Sequence, residues 1–284
     1  MTTSTISGKG PRRKGPALPG KGIGSAGRGG RMARRLLAKL GVFAFWMLAW
    51  QLAYQLIHQE ILLASPGRVL ARLWELAGRP AFWRTVAFSF LRIMSGFGLA
   101  LAAGILLAAA TSASRVLDAL ARPLLRIVKA TPVASFVILA LVWLKSSRLA
   151  VFTSFLMVLP IVWGNLVQGI KKTDPRLLEM GRLFRFGPVK TLVHIYLPSV
   201  FPYLIAAGTT GLGLAWKAGI AAEVLGTPKN SIGKYLYESK IYLEIPDLFA
   251  WTAVVILLSM ALEELLLWLV RRRLPIALPS GEEG

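Results

Sequence analysis

Residues 149–170, LAVFTSFLMVLPIVWGNLVQGI, form twenty-two consecutive positions without a charge. A helix rises about 1.5 Å per residue, so roughly 17–25 predominantly apolar residues cross the hydrocarbon core of a bilayer. Working outward, further uncharged runs lie at 40–59, 93–114, 130–144, 191–216 and 248–262. The 130–144 run has only fifteen residues, and Lys129 and Lys145 flank it in positions to snorkel to either interface. The 248–262 run reaches spanning length if it continues through Glu263 and Glu264 to Val270, just ahead of Arg271, Arg272 and Arg273. Pro198 and Pro202 trim the 191–216 run and place the start of its helix near residue 201. The expectation is an all-α integral membrane protein with six transmembrane helices over 36–273.

Composition points the same way. The 284 residues include 34 Lys+Arg, 13 Asp+Glu, two His and no Cys, and charged types reach only 17 %. Soluble domains carry roughly 25 %. A net charge of +21 alone would suit a nucleic-acid binder, but a mean hydropathy of +0.59 does not. The absence of Cys removes disulfides, thiolate metal sites and cysteine nucleophiles. With two His and few carboxylates, no catalytic residue, metal or cofactor is expected, and His58 and His194 read as interfacial polar groups. Trp50 and Trp251 suit an aromatic belt.

Residues 1–35 stand apart, with nine Gly, three Pro and nine Lys/Arg and no acid. Such a segment buries too little apolar surface to offset its ordering entropy, so a disordered basic tail on anionic lipid is expected. Gly15, Gly20 and Lys21 nearly spell a P-loop, but Gly22 occupies the Ser/Thr position and no strand precedes it. Nucleic acid is not an expected partner, because Gly-rich basic tails bind polyanions indiscriminately. Residues 274–284 form a short C-terminal tail.

Lys/Arg placement sets orientation. With the N-terminus in the cytoplasm, inside segments hold 23 basic residues against 9 outside, which puts both termini inside. Among the outside segments, Ser65-Pro66-Gly67 followed by Val69, Leu70, Leu73, Trp74 and Leu76 predicts a capped amphipathic helix on the membrane surface.

The inside loop 171–198 is the most informative connection. Asp174 and Pro175 supply an N-cap and a first-turn proline, and Gly187-Pro188 ends the helix about three turns later. A short, partly apolar helix between two spans is a docking surface for a partner's groove or a helix lying on lipid.

Glu179-Met180-Gly181 and Ile195-x-Leu197-Pro198 resemble the EAA loop of bacterial ABC-importer permeases, Glu-Ala-Ala, three residues, Gly, nine residues, Ile-x-Leu-Pro. Met180 departs from the family Ala and Arg185 from the family Gly, with Gly187 placed to take over the turn. Pro123, Pro132, Leu197-Pro198-x-x-x-Pro202, Gly211-Leu-Gly213-Leu-Ala-Trp216 and Ala221-Ala-Glu223 resemble the nitrate/sulfonate/taurine branch, and the likeness runs from about Ser65 to Val270. The resemblance implies a type I ABC importer permease (MetI-like) architecture in the bacterial inner membrane. It also implies that Glu179 to Gly187 form the helix that transmits closure of cytoplasmic ATPase subunits to the pore. The implied partners are those ATPases, an extracytoplasmic solute-binding protein and a second, identical permease copy in the bilayer.

Small residues at 207, 211, 215 and 219, and at Gly96, Ala100, Gly104 and Ala108, form stripes expected to pack helices. Lys217 lies about 200° around the helix from the first stripe, on a face with Thr210 and Gly213. An ammonium deep in a span costs about 3 kcal/mol unless paired or wetted. Either Lys217 pairs with Glu223 or another embedded acid, or Thr210, Gly213 and Lys217 line a translocation path that favours an anion such as a sulfonate. Glu263 and Glu264 are expected to snorkel or to pair with Arg271–Arg273. The competing function is a self-sufficient secondary transporter or channel, which would need polar, broken helices at the midplane.

Overall fold

The computed structural model describes residues 27–59 and 61–273. Most of the basic tail, with its P-loop lookalike, and the 274–284 tail lie outside the described residues. The described chain contains eleven α-helices and one π-helical turn. They are α1 (Gly27–Ile57), α2 (Pro66–Ala77), α3 (Pro80–Ala113), α4 (Arg115–Ala130), α5 (Val133–Leu141), α6 (Ser146–Lys171), α7 (Pro175–Leu183), α8 (Pro188–Thr191), the π turn Leu192–Tyr196, α9 (Leu197–Gly226), α10 (Ile232–Ile241) and α11 (Ile245–Arg273). Helix α1 begins well before the boundary drawn at residue 36, and its membrane-length apolar window is Leu40–Ile57. The chain divides into one compact unit ending at Trp50 and another beginning at Gln51.

Five helices are long and apolar enough to cross a membrane, on α1, α3, α6, α9 and α11. The third expected span is different in kind. Residues 130–144 do not form one straight helix: Thr131 and Pro132 interrupt it, leaving α5 nine residues long and bent by 100° from α4. Nine residues rise only about 14 Å, so α4 and α5 together make a sixth crossing only as a broken pair. Pro132 cannot donate a backbone hydrogen bond and its ring blocks the preceding turn, which sets the break there.

The expected start of the fifth span near 201 is also corrected. Helical geometry runs from Pro188 to Gly226, with Pro198 in the first turn of α9 and Pro202 inside it. The π turn makes this continuity feasible. Leu197 donates its N–H to Leu192 O, five residues back, so the helix widens where Pro198 enters.

Helices α3, α6 and α9 pack through the small-residue stripes. Gly96, Ala100, Gly104 and Ala108 are all buried, and a Cβ on Gly96 would stand 2.3 Å from Val151 O. On α9, Ala207, Gly211, Ala215 and Gly219 are buried, and Ser154 Oγ donates to Ala215 O at 3.0 Å. Close backbone approach is therefore the role of both stripes, because any larger side chain would force the helices apart.

Helix α2 forms with Ser65 as its cap, accepting from Arg68 N at 3.4 Å. It buries Val69 and Leu76 and exposes Leu70 and Trp74. Arg72 ties it to the start of α11 through a bidentate bridge to Asp247 and also reaches Glu75 at 2.5 Å. The Asp247 bond, then the Glu75 bond, hold the Arg72 guanidinium above its ordinary value. Trp251 is not part of an aromatic belt. It is 2 % exposed, stacked on Tyr235 at 5.0 Å and packed near Phe82 at 5.1 Å. Its Ala250-Trp251 stretch sits where α10 and α2 pack against α11, so protein covers the ring.

Candidate coupling loop and charged cavity

Helix α7 is built as its sequence dictates. Asp174 accepts from Arg176 N at 2.9 Å, satisfying a first-turn donor, and Pro175 occupies the position where no donor is missed. The C-terminal end closes by two reverse bonds, Phe186 N to Gly181 O at 2.8 Å and Arg185 N to Arg182 O at 3.0 Å. This is the Schellman arrangement, which places its second residue past the helix in the left-handed region. That residue is Arg185, with φ at 51°. Gly187 does not take over the turn, since its φ is −69° and its backbone extended. The bond pattern fixes the left-handed site at 185, so the side chain there must bear the steric cost of about 1 kcal/mol. Arg185→Gly is accordingly expected to stabilise the turn by about 1 kcal/mol, slowing hydrogen exchange at the Arg185 and Phe186 amides about fivefold.

Gly181 is the point on which α7 rests. It is buried, and a Cβ there would lie 2.9 Å from Ile195 Cδ1 and 3.7 Å from the Phe186 ring. Ile195, on the π turn, is only 2 % exposed, and Phe186 meets His194 edge-on at 6.3 Å. The rest of the surface points outward. Glu179, Met180, Arg185 and Gly187 are exposed, as are Leu197 and Pro198, and Leu183 and Phe184 are 81 % and 67 % exposed. A nine-residue helix held by one glycine, with two large apolar side chains turned out, presents a face for a partner and little for the chain's own core.

The three residues placed on a common α9 face do line one cavity. Thr209, Thr210, Gly213, Leu214 and Lys217 of α9, with Glu263 and Leu267 of α11, surround about 500 Å³. Lys217 is the exposed residue within the otherwise mostly buried stretch 211–220. Glu263 is the lining residue that sequence reasoning did not assign to this face. It lies against Gly213 in the middle of α9, with Oε1 2.8 Å from where a Cβ would be. Gly213 is small enough to admit that carboxylate. The available signal was the i, i+4 spacing of Glu263 and Leu267 on one face of a span, but its partner helix was not legible.

Lys217 does not pair with Glu223. The Glu223 carboxylate is fully buried and accepts from Ser89 Oγ at 2.6 Å, from Gly233 N at 3.4 Å and from Arg92 Nη1 at 3.3 Å. Arg92 also donates to the carbonyls of Lys229 and Asn230 at 2.9 and 3.2 Å. The physical reason is rotational: Glu223 falls on the packed face of α9 and Lys217 on the open one. This network joins α3, the end of α9 and the start of α10, and Gly233 is admitted because a Cβ would sit 2.4 Å from Glu223 Cβ.

Residues 100–274 match the family described as binding-protein-dependent transport system inner membrane component. The chain belongs to that family. The permease is 25 % identical over 191 residues to the bicarbonate transport system permease protein CmpB of Synechococcus elongatus, covering 67 % of this chain and 68 % of that one. It is 25 % identical to the putative aliphatic sulfonates transport permease protein SsuC of Escherichia coli, covering 72 % and 77 %. The taurine transport system permease protein TauC of Escherichia coli is 22 % identical, covering 86 % and 91 %. Among solved structures, the inward-facing MetNI methionine ABC transporter matches with a TM-score of 0.52 and 16 % identity, over 67 % of this chain and 93 % of that one. The fold is that of a MetI-type, type I ABC permease, and the protein is an ABC importer permease subunit that works with an ATPase.

Proposed function

We propose that two identical copies of this permease form the translocation path for a small anionic solute in the bacterial inner membrane, with both termini cytoplasmic. An anionic group on the solute is supported by the bicarbonate, sulfonate and taurine relatives and by Lys217 in an open cavity. An extracytoplasmic binding protein delivers the solute, and the permease contributes no catalytic residue of its own. Energy enters through Glu179, Met180, Gly181, Arg185, Gly187, Ile195, Leu197 and Pro198. The observation that carries this reading is α7 itself, seated on Ile195 through Gly181 while Leu183 and Phe184 face outward. Rigid seating lets a push on the exposed face move the π turn and α9, and the exposed apolar pair supplies what a partner's cleft would bury.

The test uses the complex of permease, ATPase and binding protein. Glu179→Arg reverses the charge on the outward face without touching the Gly181 seat. It should lower hydrolysis stimulated by loaded binding protein at least about tenfold, the effect of 1.4 kcal/mol lost at the interface. Full stimulation at normal complex yield would contradict the assignment.

A further inference from the structure

The charged cavity contains two opposite charges, and an anion path accounts for only one of them. Lys217 and Glu263 both line it, together with the hydroxyl-bearing Thr209 and Thr210. Among the described residues neither charge forms an ion pair or side-chain hydrogen bond with another residue. Charges inside a span are retained when they serve a pathway or find a partner, because each is costly to keep from water. Here the two enter from neighbouring levels. Glu263 rests against Gly213, and Lys217 follows Gly213 by four residues, a rise of about 6 Å along α9.

A simple anion entering this space meets Lys217 favourably and Glu263 unfavourably, and a simple cation meets the reverse. A solute that carries both signs a few bonds apart satisfies both walls at once. Charge-assisted contacts of this kind are about twice as strong as neutral ones, and the Thr210 hydroxyl serves either end as donor or acceptor, while Thr209 Oγ1, which donates to Ile205 O and Ala206 O at 3.2 and 3.0 Å, is left to accept. We infer that this cavity is a subsite for a small dipolar solute, its anionic group facing Lys217 and its ammonium group facing Glu263. The inference rests on the proposed permease path and adds an ammonium group to the anionic group which that reading gives the solute. Glu263 becomes the residue that separates the two classes.

The chain has no cysteine, so one introduced thiol reports alone. Thr210 is exposed on the cavity wall, and Thr210→Cys in the full-length protein in membrane vesicles can be labelled with N-ethylmaleimide. The probes are 2-aminoethanesulfonate, ethanesulfonate and ethylammonium at matched concentration. A dipolar probe at twice its dissociation constant should slow labelling roughly threefold, with the single-charge probes protecting less. In the Thr210→Cys background, Lys217→Gln and Glu263→Gln should each remove that protection, whereas Glu263→Asp should retain part of it. Each rate is compared with the same variant's unprotected rate, which separates loss of recognition from loss of fold. Equal protection by ethanesulfonate that survives Glu263→Gln would overturn the inference in favour of a plain anion site. Absence of protection by every probe, with normal unprotected labelling, would overturn it as well. Neither outcome bears on the ATPase coupling, which is read by hydrolysis in the complex.

Discussion

A leucine at Gly181 should uncouple the importer while leaving the permease folded in the membrane. The glycine's missing Cβ would already lie 2.9 Å from Ile195 Cδ1, and a branched side chain has no direction that avoids both Ile195 and Phe186. The π turn behind Ile195 is tied to α9, so α7 is the part that yields and tips off its seat. Because α7 lies outside the membrane-length helices, abundance should stay near normal, whereas stimulated hydrolysis should fall at least about tenfold. Gly181→Ala should be much milder, since the atom it meets is the flexible end of Ile195. Gly67→Ala, on α2 and outside the coupling loop, serves as control, because nothing lies within 4 Å of a Cβ there. If leucine and alanine at 181 behaved alike, the seat would not be what transmits the stroke.

Gly96→Val is expected to remove folded protein from the membrane. Its Cβ would fall 2.3 Å from Val151 O and 2.9 Å from Ser154 Cβ, both on α6, and backbone cannot rotate away as a side chain can. The helices must separate by more than an ångström, losing packing along the whole Gly96–Ala108 stripe, a cost of about 4 kcal/mol or more. Gly98→Val controls for helix propensity and bulk on the same helix, since Gly98 has open space around it. Immunoblotting of membranes should show loss of the first variant and near-normal levels of the second. Comparable levels would mean that α3 and α6 do not approach through Gly96.

Much of this was legible in the sequence because a bilayer imposes a length on apolar runs. The spans in 149–170 and 248–270 appear as α6 and α11 within a few residues. The cap at Asp174 and the packing stripes followed from residue type and spacing, whereas the seat of Gly181 on Ile195 depends on how the chain folds back after α7. What failed was local competition between backbone effects. Pro132 breaks a run that charge counting joins, whereas Pro198 does not break one that it should, because a π turn relieves it. Arg185 holds a left-handed φ that residue preference assigns to glycine, and only the reverse hydrogen bonds fix that site. The cavity was half legible: Thr210, Gly213 and Lys217 share a helical face, but that Glu263 completes it depends on how α11 is rotated against α9. Glu223 goes to Arg92 and not to Lys217 because it lies on the packed face of α9, towards α3.

Reconstitution in liposomes tests the central claim most directly, because a permease worked through α7 has no driving force of its own. The purified chain alone should leave a labelled dipolar or anionic solute equilibrated across the membrane. Adding its ATPase, its binding protein and ATP should produce accumulation against the gradient. Uphill accumulation by the chain alone would contradict the account.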